Sequence, residues 1–228
     1  MRYWVVLGVR LLVAVAIVGW VYSYLTPGGG EKEFQRSLDA LKQVHSVRVA
    51  FVSDPTATQH NEVSWDLVCA QDAYRYKWHM VESDPERPGE MNRDELHLGG
   101  LEYEHQADGN WSKGKYNNMA TAAVLCRNIA QGVEERVMPP IATMIRRGVL
   151  QKGDKKTVNG VRCREWNVTM RGGTGGLEHD TICLGVDDHL PYEMTVDWQR
   201  SRTTFTDYNS SFQLELPEAA VQQASSTN

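Results

Sequence analysis

Val63-Ser64-Trp65-Asp66-Leu67-Val68-Cys69-Ala70-Gln71-Asp72-Ala73-Tyr74-Arg75-Tyr76-Lys77-Trp78-His79-Met80 decides how this chain folds. On either side of Gln71-Asp72, large apolar side chains alternate with polar ones, the period of a strand with one buried face. Gln71-Asp72 has the composition of a tight turn, so the stretch predicts an antiparallel hairpin. With a two-residue loop there, Val63 faces Met80, Trp65 faces Trp78, Leu67 faces Tyr76 and Cys69 faces Tyr74. The opposite face sets Asp66 against Lys77 and Ser64 against His79. One face is aromatic and the other charged, which is what specifies a register.

The same logic extends downstream. Gly99-Gly100 is expected to turn Leu98 onto Leu101 and Leu96 onto Tyr103, leaving His97 beside Glu102. Asp108-Gly109 signals a type I′ turn that sets Leu101 against Tyr116, and Glu102 and Glu104 against Lys115 and Lys113. From Asn117 to Leu150 the alternation stops: Met119 to Cys126 reads helical, and Pro139-Pro140 can open a short helix carrying Ile141, Met144 and Ile145. Strand pattern returns over residues 161–170, 180–186, 190–198 and 203–208, with a last edge segment near 212–216.

Upstream, Val47, Val49 and Phe51 mark a first strand, followed by a polar loop from Asp54 to Glu62. Residues 31–45 place Phe34, Leu38, Leu41 and Val44 on one stripe, an amphipathic helix expected to lie on the sheet. Thr26-Pro27-Gly28-Gly29-Gly30 is a flexible break. Before it, residues 3–25 carry a single charge, Arg10, and exceed the roughly 20 apolar residues that a spanning helix needs. Arg2 and Arg10, with no acid nearby, predict a cytoplasmic N-terminus. Tyr3 and Trp4 at one end, and Trp20, Tyr22 and Tyr24 at the other, have the placement of interfacial aromatics. No A-x-A site follows, so the expectation is an uncleaved anchor, with a cleaved signal as the alternative.

Composition narrows the function. The 24 basic residues less Arg2 and Arg10 leave 22 against 29 acidic ones, a net charge of −7 beyond the anchor. That balance argues against nucleic acid as a partner. Four cysteines in an exported domain predict disulfides. Cys163 and Cys183 flank the glycine-rich loop 172–176 at nearly equal distances and should face each other across a hairpin, leaving Cys69 to pair with Cys126. The seven histidines show no Cys-x-x-Cys or His-x-x-x-His spacing, so no metal and no cofactor is expected. His189 beside Asp187-Asp188 reads as a polar turn before Pro191. No G-x-S-x-G elbow occurs and Gly172 to Gly176 lacks the Lys-Ser/Thr of a phosphate loop, so no catalytic residue is assigned. The aromatic face bears on function instead: Trp65, Leu67, Tyr74, Tyr76, Trp78 and Met80 are candidates to line an apolar ligand site, with plain core packing as the competing reading.

The order of elements resembles the periplasmic lipoprotein-carrier superfamily, the LolA type with related mycobacterial lipid carriers and the sigma-factor regulator RseB. The likeness spans roughly residues 31–217. It rests on Val47-Arg48-Val49-Ala50-Phe51, Tyr74-Arg75-Tyr76-Lys77-Trp78 and Leu98-Gly99-Gly100-Leu101-Glu102-Tyr103 with Asp108-Gly109-Asn110-Trp111. Val158-Asn159-Gly160-Val161-Arg162-Cys163, Val186-Asp187-Asp188-His189-Leu190-Pro191 and Thr206-Asp207-Tyr208-Asn209 complete it. The resemblance implies an α+β fold, an antiparallel curved half-barrel sheet wrapping a few helices, with an apolar cavity for acyl chains. The retained anchor and four cysteines depart from the simplest carriers. Expected organisation is therefore a transmembrane anchor at 1–25, a linker at 26–30, a half-barrel at 31–217 and a disordered tail at 218–228. The expected function is a non-catalytic, membrane-tethered module on the extracytoplasmic side that binds lipid, lipoprotein or another hydrophobic ligand. The alternative is an envelope sensor with a protein partner, whose half-barrel is only a scaffold.

Overall fold

The computed structural model describes residues 29–115, 149–171 and 177–216. Helix α1 (Gly29–Leu41) precedes β1 (Ser46–Ser53), β2 (Gln59–Val68), β3 (Ala73–Glu82), β4 (Gly89–Leu98), β5 (Leu101–His105) and β6 (Trp111–Lys115). After the interval 116–148 come β7 (Val149–Val158), β8 (Val161–Arg171), β9 (Leu177–Gly185), β10 (Pro191–Val196) and β11 (Ser201–Thr206). All eleven form one antiparallel sheet in the order β6-β5-β4-β3-β2-β1-β11-β10-β9-β8-β7. Two meanders thus run outward from the central β1–β11 pair, and the sheet stays open, with β6 and β7 as its edges. The expected curved half-barrel is present, with one helix among the described residues. No helix among them is long and apolar enough to cross a membrane. The expected anchor at 1–25, the helical segments within 117–148 and the tail at 218–228 lie outside the described residues.

Helix α1 carries the stripe read from the sequence: Phe34 and Leu41 are buried, and Leu38 and Val44 pack against the same core. The helix starts at Gly29, inside the expected linker, and stops at Leu41 rather than at His45. Its end tightens into i→i+3 bonds, Gln43 N to Ala40 O at 3.0 Å and Val44 N to Leu41 O at 3.1 Å. Asn209 Oδ1 then accepts from His45 N at 2.9 Å, turning the chain into β1.

The decisive hairpin forms with its register moved by two residues. Val63 pairs with Trp78, Trp65 with Tyr76 and Leu67 with Tyr74. The cause is the loop: Cys69–Gln71 is a 3₁₀ turn closed by Asp72 in the left-handed conformation at φ 48°. An even slip keeps every side chain on its expected face. The outer face becomes a ladder, Arg48 opposite Asp66 and Asp66 opposite Arg75, with Arg75 bidentate to Asp94 at 2.8 and 2.6 Å. Asp94 pairs across the sheet with Lys77.

Gly99-Gly100 forms the expected turn, both residues at positive φ, and pairs Leu98 with Leu101, Leu96 with Tyr103 and His97 with Glu102. The next turn differs by one residue. Gln106 N donates to Asn110 O at 2.7 Å and Gly109 N to Gln106 O at 3.0 Å, so the loop is longer than a type I′ turn. An odd slip exchanges faces: Lys113 lies opposite Tyr103, while Glu102 and Glu104 face Gly114 and Ser112. Tyr116, the expected partner of Leu101, lies outside the described residues.

Two further corrections concern strands. β7 has no counterpart in the expectations; Gln151-Lys152-Gly153-Asp154-Lys155-Lys156 is too polar to show alternation, as suits an edge strand with a bulge. Residues 212–216 are not a strand. They cross the outer face, where Phe212 lies under Arg48 at 4.7 Å and Leu214 and Leu216 cover Leu96 and Tyr103.

Cys163 and Cys183 are disulfide-bonded, with Cα atoms 5.6 Å apart. They sit diagonally rather than face to face: Cys163 pairs with Gly185, and Cys183 with Glu165. Cys69 is also disulfide-bonded, and its expected partner Cys126 lies outside the described residues. The turn after β9 holds Asp188 between Leu190 N at 3.1 Å and the Tyr192 hydroxyl at 2.6 Å. A Cβ on Gly185 would collide with the Asp188 carboxylate and crowd the Tyr192 ring, so a larger residue there would have to displace them. The neighbouring His189 reaches Glu33 of α1 at 2.6 Å, tying helix to sheet.

Candidate ligand-binding site

Register places Phe51, Val63, Trp65, Tyr76 and Trp78 in one patch on the inner face of β1, β2 and β3. Trp65 and Tyr76 stand opposite each other with ring centroids 5.6 Å apart. Burial falls along the hairpin. Leu67 and Tyr74 are in the core, Trp65 and Tyr76 pack partly against it, and Trp78 and Met80 are half-buried. Beside the exposed end lies a hollow of about 500 Å³, walled by Phe51, Val63, Trp65, Tyr76, Trp78 and Trp198. Trp198 is 59% exposed, held over the hollow by the 3₁₀ turn Asp197–Gln199 between β10 and β11. Asp180 Oδ1 accepts from Asp197 N at 3.2 Å and fixes that turn.

A polar group continues the same face across β4 and β5. Glu95 pairs with Tyr76 and His97 with Tyr74, whose ring stacks on the imidazole at 4.0 Å. Both are buried, at 5% and 3% exposure. Arg93 Nε meets Glu95 Oε1, and Glu95 Oε2 stands 3.7 Å from His97 Nε2. Burial acts to raise the Glu95 carboxyl; His97 and Arg93 outweigh it and hold the group below the usual carboxylate range. Glu95, His97 and Glu102 bring one ligand atom each to within 4.8 Å of one another.

No protein-family model matches the sequence, and no curated protein matches it. Solved structures do resemble it. LprF from Mycobacterium bovis is 14% identical, with a TM-score of 0.57, over 83% of this chain and 96% of that one. The lipoprotein LppX from Mycobacterium tuberculosis is 16% identical, with a TM-score of 0.51, over 81% of this chain and 97% of that one. The chain has the fold of LprF and LppX.

In this half-barrel, three of the six residues picked from the sequence, Trp65, Tyr76 and Trp78, wall the hollow. Leu67 and Tyr74 are buried in the core beneath it, and Met80 accepts a hydrogen bond from Gln59 Nε2 at 3.2 Å beyond its rim. Phe51 and Trp198 join the wall without having been singled out. Phe51 was legible, since it alternates with Val47 and Val49 on the same strand face. Trp198 was not, because it reads as the end of the strand at 190–198 and its position depends on the turn that replaces that end.

Proposed function

We propose that this protein is a membrane-tethered binding module on the extracytoplasmic side of a membrane, non-catalytic, which takes a lipid or the acyl part of a lipoprotein against the inner face of its half-barrel. The hollow beside Trp65, Tyr76 and Trp78 carries this reading. Its volume of about 500 Å³ falls within the roughly 300–1,000 Å³ of ligand sites. Aromatic side chains reaching solvent there resemble a binding surface more than a finished core. Residues 3–25 support the tether by their length and apolar character.

The test is a titration of the delipidated chain with cis-parinaric acid, a fluorescent fatty acid excited by transfer from tryptophan. Saturable binding is expected, weakened at least about tenfold by Trp78→Ala with the fold retained. A wild-type chain that binds no fatty acid withdraws the lipid reading and leaves an envelope-protein partner as the function to pursue.

A further inference from the structure

We propose that the β4–β5 hairpin holds a divalent transition-metal ion of the Zn²⁺ class, with Glu95, His97 and Glu102 as its protein ligands. The site lies outside the aromatic hollow and does not depend on lipid binding.

The ligand set is local. In Glu95-Leu96-His97-Leu98-Gly99-Gly100-Leu101-Glu102, the glycine turn sets His97 opposite Glu102, and Glu95 lies two residues back on the same face. Their ligand atoms already lie within 4.8 Å of one another. The spacing between Glu95 Oε2 and His97 Nε2 is 3.7 Å. It is close to the ~3.3 Å that separates two ligands of a tetrahedral ion with bonds of ~2.0–2.1 Å.

Supporting groups hold these ligands in place. Arg93 engages Glu95 Oε1 and so presents the other carboxylate oxygen towards the histidine, while the stacked Tyr74 ring fixes the imidazole plane. Charge completes the case. Among the described residues, Glu95, Glu102 and Glu104 share this face with one guanidinium, Arg93, which lies 3.8 Å from Glu104 as well. The one-residue slip of the following hairpin puts Gly114 and Ser112, not lysines, opposite Glu102 and Glu104. Three carboxylates against one cation leave two negative charges, which a dication cancels. An imidazole nitrogen with two carboxylates suits Zn²⁺ better than Ca²⁺ or Mg²⁺, which prefer oxygen alone. Three protein ligands leave a fourth position for water, and the half-buried Glu102 gives the ion a way in.

The experiment titrates Zn²⁺ into the full-length, chelator-stripped chain by calorimetry, with Co²⁺ as a spectroscopic probe. One ion per chain is expected, with the visible bands of four-coordinate Co²⁺ and no displacement by excess Ca²⁺. Glu102→Gln, at a half-exposed position that leaves the fold intact, should weaken Zn²⁺ at least about tenfold, and His97→Gln should abolish the Co²⁺ bands. His60→Ala should change nothing, although His60 stands between Asp54 at 2.7 Å and Glu62 at 3.1 Å on the surface. Absence of Zn²⁺ binding, full-strength binding by Glu102→Gln, or loss of binding in His60→Ala overturns the assignment.

Discussion

The inner face of the sheet has two halves that obey the same alternation and end differently. Under α1, β8 to β11 contribute Trp166, Ile182, Met194 and Phe205, each at 5% exposure or less, with Phe34 set edge-on to Trp166 at 6.2 Å. Across β1, the side chains of β2 and β3 are as large, yet Trp78 and Met80 remain half-buried and a hollow opens beside them. Hydrophobic character therefore does not separate core from site here. Cover does: α1 shields one half, and the other keeps its aromatic wall in reach of solvent.

If that division holds, truncation should cost most where the cover is complete. Phe205→Ala is predicted to destabilise by roughly 3–5 kcal/mol in urea denaturation, because a fully buried ring leaves a cavity. A loss under about 1 kcal/mol would mean the covered half is not close-packed. The disulfide belongs to the same half. Replacing both Cys163 and Cys183 by serine should remove about 3 kcal/mol, given the 20-residue separation that the bond closes. Equal melting of wild type with and without reductant would contradict this.

On the outer face of the covered half, Glu193 accepts from Lys156 at 2.7 Å and from Arg202 Nε at 2.8 Å, and Lys156 also reaches Glu165 at 2.5 Å. Glu193→Ala is predicted to cost roughly 1–3 kcal/mol. Burial pushes the Glu193 carboxyl up, but Lys156 and Arg202 prevail and hold it below its ordinary 4.5. A carboxyl depressed in the folded state contributes stability above its unfolded pKa and loses it as pH falls through the folded value. The stability gap between wild type and Glu193→Gln should therefore be full at neutral pH and close below pH 4.5. A gap that is unchanged at pH 3 would exclude the ion cluster as its source.

The smallest effect on stability is expected in the open half. Trp78→Ala should cost no more than about 1.5 kcal/mol, since its ring is only partly covered. The same variant should lose fatty-acid binding. Destabilisation as large as that of Phe205→Ala would erase the distinction between the halves and make the aromatic face structural.

Much of this was legible in residues close together along the chain. The period of two in Trp65-Asp66-Leu67 and in Tyr74-Arg75-Tyr76-Lys77-Trp78 assigned each side chain to a face, and that assignment survived a register shift. Gly99-Gly100 set its own hairpin, because two residues at positive φ match the twist of the strands they join. His97 beside Glu102 was equally readable, but Glu95 joins them only by strand alternation, a spacing that helical and Cys-x-x-Cys patterns do not reveal.

Other features needed the folded chain. Loops 69–72 and 106–110 set their length by hydrogen bonds of their own, so their registers differ from two-residue turns by two residues and by one. β7 is held by pairing with β8 despite its lysines, and Leu214 and Leu216 find Leu96 and Tyr103 from more than a hundred residues away. Periodicity is local and tells which way a side chain points. What covers it is decided by distant segments, and on this sheet that choice separates a closed core from an open wall.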